Sequence, residues 1–327
     1  RCKTIESMSE LYRKTYNFKH HKILCSSVPV YRTPDDHDRH MNNCNLETKE
    51  RDPIGFANAS RAYQLYQHHL GPASNYIEHN EIWRDVNINK LHHRDSTFFI
   101  MDCRSDRNEI CYLDSINNFS TIISFRQMKD FEQWIEKHRD NNEMVKFVVT
   151  SVPLLSQDTN DSWYGFPEQQ KKVIDLILSV RNIFVLTGDA HCCRSGTYSI
   201  YNYEDRYLGK ITEILSSGLF AVNHDRGKPF NETIATEEYI NDYNKNNDFP
   251  YIVDNSINNK GYKMVTDYAT PCYPRPNKAR GINVIKQLFC RVIDNTFIKI
   301  KVLDNDIEVE IFNQDGRSLH LNRYELY

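Results

Sequence analysis

The sequence predicts a layered α/β fold carrying a second β-sheet, and three features predict it. Strand-type and helix-type segments alternate over residues 97–191, the pattern of a sheet covered by helices. From Ile282 onward the chain changes to consecutive strand-type runs closed by an Asp315–Gly316 turn, which reads as an antiparallel meander. At 327 residues and 38.7 kDa there is enough chain for one large core, and a single domain over 1–327 is expected, with 282–327 as its C-terminal meander.

The elements follow in order. Ile5, Met8, Leu11 and Tyr12 recur at helical spacing, so residues 4–16 open the chain as an amphipathic helix. Val28–Tyr31 reads as a short strand halted by Pro34. Arg61–Tyr66 with His68 and His69 is helical and leads to a turn at Gly71–Pro72; adjacent helix side chains diverge, so the two histidines chelate poorly. Thr97–Met101 is a strand. Phe125, Met128, Phe131, Trp134 and Ile135 line one helix face, and Lys146–Thr150 is the next strand. A polar loop over 156–167 precedes a helix at Glu168–Val180 with a Val173, Ile174, Ile177, Leu178 stripe. Phe184–Leu186 and Ile211–Leu215 are strands; 222–280 is loop-rich; Ile282–Ile293, Phe297–Leu303 and Ile307–Phe312 complete the meander.

Composition excludes several classes. Hydrophobic residues make up 39% and charged residues 26%, with a mean hydropathy of -0.67, as in a globular chain with polar, Asn-rich loops. The net charge of -3 gives no bulk attraction to nucleic acid or anionic membrane. No stretch approaches the roughly 18 apolar residues of a spanning helix. Nine cysteines form no C-x-x-C or zinc-finger spacing. Sequons at Asn58, Asn118, Asn160 and Asn231 would mark glycosylated loops in a secretory or lumenal protein; compartment and oligomeric state carry no further signal.

The chemistry-bearing residues gather at strand ends. The run Phe184–Leu186 breaks at Thr187–Gly188 and delivers Asp189 and His191, a carboxylate and an imidazole that together suit Zn, Fe or Mn. As a bland alternative, Asp189 caps the next segment and His191 sits half exposed. Upstream, Asp35, Asp36 and Asp38 flank His37, with Asn42 beyond. Three carboxylates in four residues repel one another, and beside an apolar strand a cation is the simplest compensation, although an acidic surface turn would solvate them too. The 97–101 strand ends on Asp102, Arg104 and Arg107. Those arginines either clamp phosphate oxygens or form a salt-bridged corner with Asp102 and Asp106. An esterase nucleophile at Ser216 or Ser217 lacks the G-x-S-x-G elbow.

Six pieces stand in a fixed order: Pro34–Asp38 with Asn42, the Phe-Phe-Ile-Met-Asp-Cys-Arg-Ser-Asp-Arg run at 98–107, Gln127–Trp134, Asp161–Glu168, Leu186–His191 and Glu213–Leu219. In that order they resemble the alkaline phosphatase D (PhoD-like) branch of the calcineurin-type metallophosphoesterases. The resemblance implies two packed mixed β-sheets flanked by helices, with a dinuclear centre of divalent or trivalent ions (Fe, Zn, Mn or Ca) between their edges. It implies metal contacts at Asp36, Asn42, Asp189 and His191, and a catalytic role for His37. Arg104 and Arg107 match an Arg pair whose role follows from charge alone. The implied activity is hydrolysis of a small-molecule or lipid phosphate ester by metal-activated hydroxide, with no nucleic-acid partner.

One departure stands at the front. The family begins with a strand and a Gly-Asp-x-x-Tyr type motif whose Asp bridges the metals, and nothing before Asp35 supplies it. The chain reads like a member missing its first segment, with an incompletely coordinated centre, a gap in the first sheet and little hydrolysis expected of these 327 residues. A non-catalytic relative acting as a binding protein is the alternative reading.

Overall fold

The computed structural model describes residues 4–39, 41–70, 82–90, 93–108, 120–155, 161–191, 193–202, 206–216, 251–253, 264–267, 282–292, 296–313 and 315–327. The turn at Gly71–Pro72, the loop at 156–160, Ser217, most of 222–280 and the sequons at Asn118, Asn160 and Asn231 lie outside these residues.

Helices open the chain. In α1 (Ile5–Tyr16) the Thr4 side chain caps the Ser7 N–H at 3.2 Å. After α2 (Lys19–Ser27) and α3 (Leu46–Arg51) comes α4 (Pro53–Tyr66), capped by Asp52 onto the Gly55 N–H at 3.0 Å, with Pro53 in the first turn where its missing N–H costs nothing. Met8, with Ile5 and Tyr12, packs on Ala59 and Ala62. The strand expected at Val28–Tyr31 does not form. Helix α2 runs to Ser27, and residues 29–35 continue outside any sheet, because Pro29 and Pro34 have no N–H to give a ladder.

Nine strands form the large mixed sheet: β1 (Arg84–Ile88), β2 (Ser96–Ile100), β3 (Val145–Val149), β4 (Ile183–Thr187), β5 (Cys193–Asn202), β6 (Tyr207–Ser216), β7 (Tyr251–Val253), β8 (Met264–Asp267) and β9 (Ile282–Val292). Their order is β1-β2-β3-β4-β6-β5-β9-β8-β7. Strands β2, β3, β4 and β6 are mutually parallel; the other pairings are antiparallel. Helices α5 (Phe125–His138) and α6 (Pro167–Leu178) are the crossovers that parallel neighbours require. Among the described residues, each strand in this order is hydrogen-bonded to the next.

Strand alternation assigns the two faces. Phe99, Val148 and Val185 turn toward the helices and join Met128, Phe131, Trp134, Val173, Ile174 and Ile177. Their neighbours Phe98, Phe147 and Phe184 turn the other way, onto a second, three-stranded antiparallel sheet of β10 (Thr296–Val302), β11 (Asp306–Asn313) and β12 (Ser318–Glu325). Each large apolar side chain buried there contributes roughly 1.5–3 kcal/mol. The tail therefore divides differently from the expectation: Ile282–Val292 pairs with β5 in the large sheet, and Ser318–Glu325, not foreseen as a strand, completes the small one. Strands β1 and β5 were also not anticipated, nor were β7 and β8 within the stretch read as loop-rich.

Candidate metal centre

The parallel strands end together, and the loops that leave them build the site. After β2, the Asp102 carboxylate accepts from the N–H groups of Arg104 (3.1 Å) and Ser105 (3.0 Å) and from the Ser105 hydroxyl (2.6 Å), winding the chain into a tight turn. It also accepts from the Ile82 N–H (3.0 Å) and pairs with Arg39 (3.3 Å). The Gln127 side chain from α5 fixes the Asp102 backbone at both its N–H (2.7 Å) and carbonyl (2.9 Å).

That turn aims Arg104 at a set of acids. Its guanidinium is fully buried and reaches Asp35 through Nε (2.9 Å) and a terminal nitrogen (2.7 Å). It also bonds both oxygens of Asp161, at 2.7 and 3.1 Å, and lies 3.8 Å from Asp189. Arg107 shares Asp161 and lies over the Phe166 ring. The corner expected with Asp102 and Asp106 has different partners: Asp102 pairs with Arg39, and Arg104 meets Asp102 through its backbone N–H.

The front segment supplies the opposing acids without being a strand. Asp36 is buried and accepts from the backbone N–H groups of His37 and Asn43, both at 2.7 Å. Asp38 anchors the turn, accepting from Tyr12 OH (2.7 Å), Gln67 Nε2 (2.9 Å) and the Asp35 N–H (3.2 Å). After β4, Asp189 and His191 both take positive φ, 65° and 53°, a rare backbone state for such residues outside functional or turn positions.

Oxygens of Asp35, Asp36 and Asp189 lie within 4.8 Å of one another. Side-chain exposures of 31% for Asp35 and 19% for Asp189 leave the cluster open on one side. Burial, with Asp35 and Asp161 adding repulsion, pushes the Asp189 carboxyl up to about 9, and burial likewise raises Asp35 despite Arg104. Burial acts in the same direction on Asp161, but Arg104 and Arg107 outweigh it and hold that carboxyl below its ordinary range. Too many acids for the available positive charge is the condition a cation relieves, and hard carboxylate oxygens fit Ca, Mn or Fe.

Of the residues read from sequence, Asp36 and Asp189 come together here with Arg104 beside them. Arg107 sits behind Asp161, one residue further from the cluster. His191 is not a member of the three-carboxylate cluster, and its side chain is exposed, as are those of His37 and Asn42. The Asn42 amide donates to the Asn43 side chain at 3.0 Å. Asp35 and Asp161 were missed as individual ligands or partners. The signal for Asp35 was the repulsion among three carboxylates in four residues; for Asp161 there was none beyond its place in a motif.

A family model described as PhoD-like phosphatase matches residues 3–266. Among curated relatives, alkaline phosphatase D of Bacillus subtilis (strain 168) is 26% identical over 208 residues, covering 55% of this chain and 33% of that protein. A solved structure described as "Structure of PhoD" superposes with a TM-score of 0.52 at 16% identity, covering 98% of this chain and 60% of that chain, a likeness of fold. The chain thus spans a third of the length of the curated relative and 60% of the solved one.

Proposed function

We propose that this chain, which belongs to the PhoD-like phosphatase family, hydrolyses phosphate esters at a metal centre built on Asp35, Asp36 and Asp189. The observation that carries the reading is the convergence of those three carboxylates, drawn from positions some 150 residues apart, within 4.8 Å. In this reading Asn42 and His191 extend the donor set to two divalent or trivalent ions, among Fe, Zn, Mn and Ca, and residues 1–327 act as one metallophosphoesterase-like domain. When bound, such ions supply Lewis-acid charge and bring the pKa of water down to about 7.

The chain's own groups do the rest. Asp161 holds Arg104 and Arg107 as a fixed pair of positive charges, and Arg104 sets the position of Asp35 through two hydrogen bonds. With cations bound to the carboxylates, those charges would add to a field that favours an anionic substrate at the open side of the cluster. His37, whose backbone N–H is held by Asp36 and whose side chain is exposed, donates a proton to the leaving oxygen from its imidazole. The substrate class is a small-molecule or lipid phosphate ester.

A second reading, a non-catalytic relative that binds rather than cleaves, is favoured by one observation: Arg104 already gives Asp35 and Asp161 a counter-charge. Metal analysis with turnover of an aryl phosphate separates the two. The catalytic reading expects His37→Ala to lower turnover about 10²- to 10⁴-fold at unchanged metal content. Stoichiometric cation in the unaltered protein with no turnover supports the binding protein instead.

A further inference from the structure

Glu213 opens the last of the six ordered sequence pieces, stands on β6 and lies outside the carboxylate cluster. It is fully buried and pairs with Val185 across the parallel ladder, so its side chain turns to the helix-covered face, where an acid is costly unless its oxygens are matched. One oxygen accepts from two consecutive backbone N–H groups, Leu154 at 2.7 Å and Leu155 at 3.1 Å. The other accepts from the Arg194 guanidinium of β5 at 2.9 Å, the counter-charge a buried acid needs. Apolar packing does not ask for a carboxylate here, since Ile211, two positions earlier on the same face, joins the core directly. What the acid adds is direction: two buried N–H groups that must find an acceptor fix the path of the chain carrying them.

That chain is the loop leaving β3, and two loops of the site lean on it. The Trp163 N–H, two residues past Asp161, donates to the Pro153 carbonyl at 3.1 Å, and the Trp163 indole donates to the Thr150 hydroxyl at 2.9 Å. Gln170 of α6 donates to the Leu154 carbonyl at 2.7 Å. Asp161, so placed, holds Arg104 and Arg107. On the other side the Ser151 carbonyl stands 3.2 Å from where a Cβ on Gly188 would lie, so backbone meets backbone one residue before Asp189. We propose that Glu213 is a positioning residue: it sets the 150–155 loop, and through that loop the placement of both Asp161 and Asp189. Its bearing on cation binding rests on reading Asp35, Asp36 and Asp189 as a metal centre.

The test compares two double variants of the full chain that differ in one acceptor. Glu213→Gln/Arg194→Met keeps an oxygen for the Leu154 and Leu155 N–H groups; Glu213→Met/Arg194→Met removes it, and apolar side chains of similar volume in place of a buried ion pair are often tolerated. Hydrogen exchange with chelator present, read by mass spectrometry, follows residues 150–155, 161–165 and 186–191, with 306–313 of the small sheet as reference. The Met variant should lose protection about tenfold or more in all three site segments but not in the reference, and the Gln variant should restore it. Glu213→Asp, which keeps the charge but falls one methylene short of the loop, should show the same pattern at smaller size and serves where the Met variant does not fold. Calorimetric titration should find Mn²⁺ bound about 10- to 100-fold more weakly by the Met variant, with recovery in the Gln variant. Loss of protection confined to 150–155, or spread evenly into 306–313, overturns the proposal, as does no loss at all. An unaltered chain that takes up no Mn²⁺ overturns the metal-centre reading instead, and the exchange comparison still decides whether Glu213 sets the two loops.

Discussion

Two groups of carboxylate sit near the ends of the parallel strands, one buried and one open on one side, and they are solved in opposite ways. Asp102 is saturated: two backbone N–H groups of its own turn, a third from Ile82, the Ser105 hydroxyl and the Arg39 guanidinium all donate to it. The Asp35, Asp36 and Asp189 cluster is under-compensated, with three acids gathered and Arg104 also shared with Asp161. A buried acid with every lone pair matched is scaffold. Acids brought together faster than donors are supplied leave a place for a cation, and the cost of holding them must be met by the surrounding fold.

The sharpest way to break this contrast is Asp102→Ala. It strips Arg39 of its buried partner and unpins the Arg104–Ser105 turn, so a loss of about 3–5 kcal/mol is expected. Urea unfolding with chelator present measures it. A variant of unchanged stability would mean that Asp102 is not the scaffold member of the pair.

Asp189→Asn should behave the other way. The cation-free fold loses no ionised partner, because burial and neighbouring acids already hold that carboxyl protonated at neutral pH, so stability is expected to stay level or rise. Affinity for Mn²⁺ or Ca²⁺, read by calorimetric titration, should drop at least as far as the 10- to 100-fold typical of an outer-shell loss. Unaltered affinity would remove Asp189 from the centre.

The same contrast explains what the sequence could and could not reveal. Strands β2, β3 and β4 and helices α5 and α6 were legible because each carries an apolar period that its own burial enforces, Phe131 and Trp134 on one helix face and Val148 between Phe147 and Val149 on a strand. Strand β1, Arg84–Ile88, was not, since Arg84, Asp85 and Asn87 interrupt any apolar run and only pairing with β2 makes it a strand. Asp189 was legible as a strand-end acid. Asp35 was harder, because its segment is placed by Tyr12, Gln67 and Arg104 from three distant parts of the chain, and the preceding Val28–Tyr31 has the composition of a strand without pairing as one. The partner of Arg104 followed the same rule: local spacing pointed to Asp102 and Asp106, whereas the fold brought Asp161 and Asp35.

A subtler test uses pH. In the cation-free fold Asp189 titrates near 9, while in the unfolded chain it titrates at the ordinary carboxylate value of about 3.9. Between those two values the folded state holds a proton that the unfolded state has released. Stability therefore falls as pH rises through that window, the direction opposite to that of an ion-paired acid such as Asp161, whose carboxyl is held low. With chelator present, the denaturation midpoint of the unaltered chain should decline from mildly acidic pH toward 9, and Asp189→Asn should flatten that decline. Cation binding reverses the preference, because a ligand carboxylate must be ionised. Titration below pH 9 should accordingly release a proton, seen as a buffer-dependent heat, and apparent affinity should climb by up to about tenfold per pH unit. A midpoint insensitive to Asp189→Asn, together with cation binding that releases no proton, would place the charge imbalance elsewhere in the cluster, with Asp35 the next carboxyl to replace.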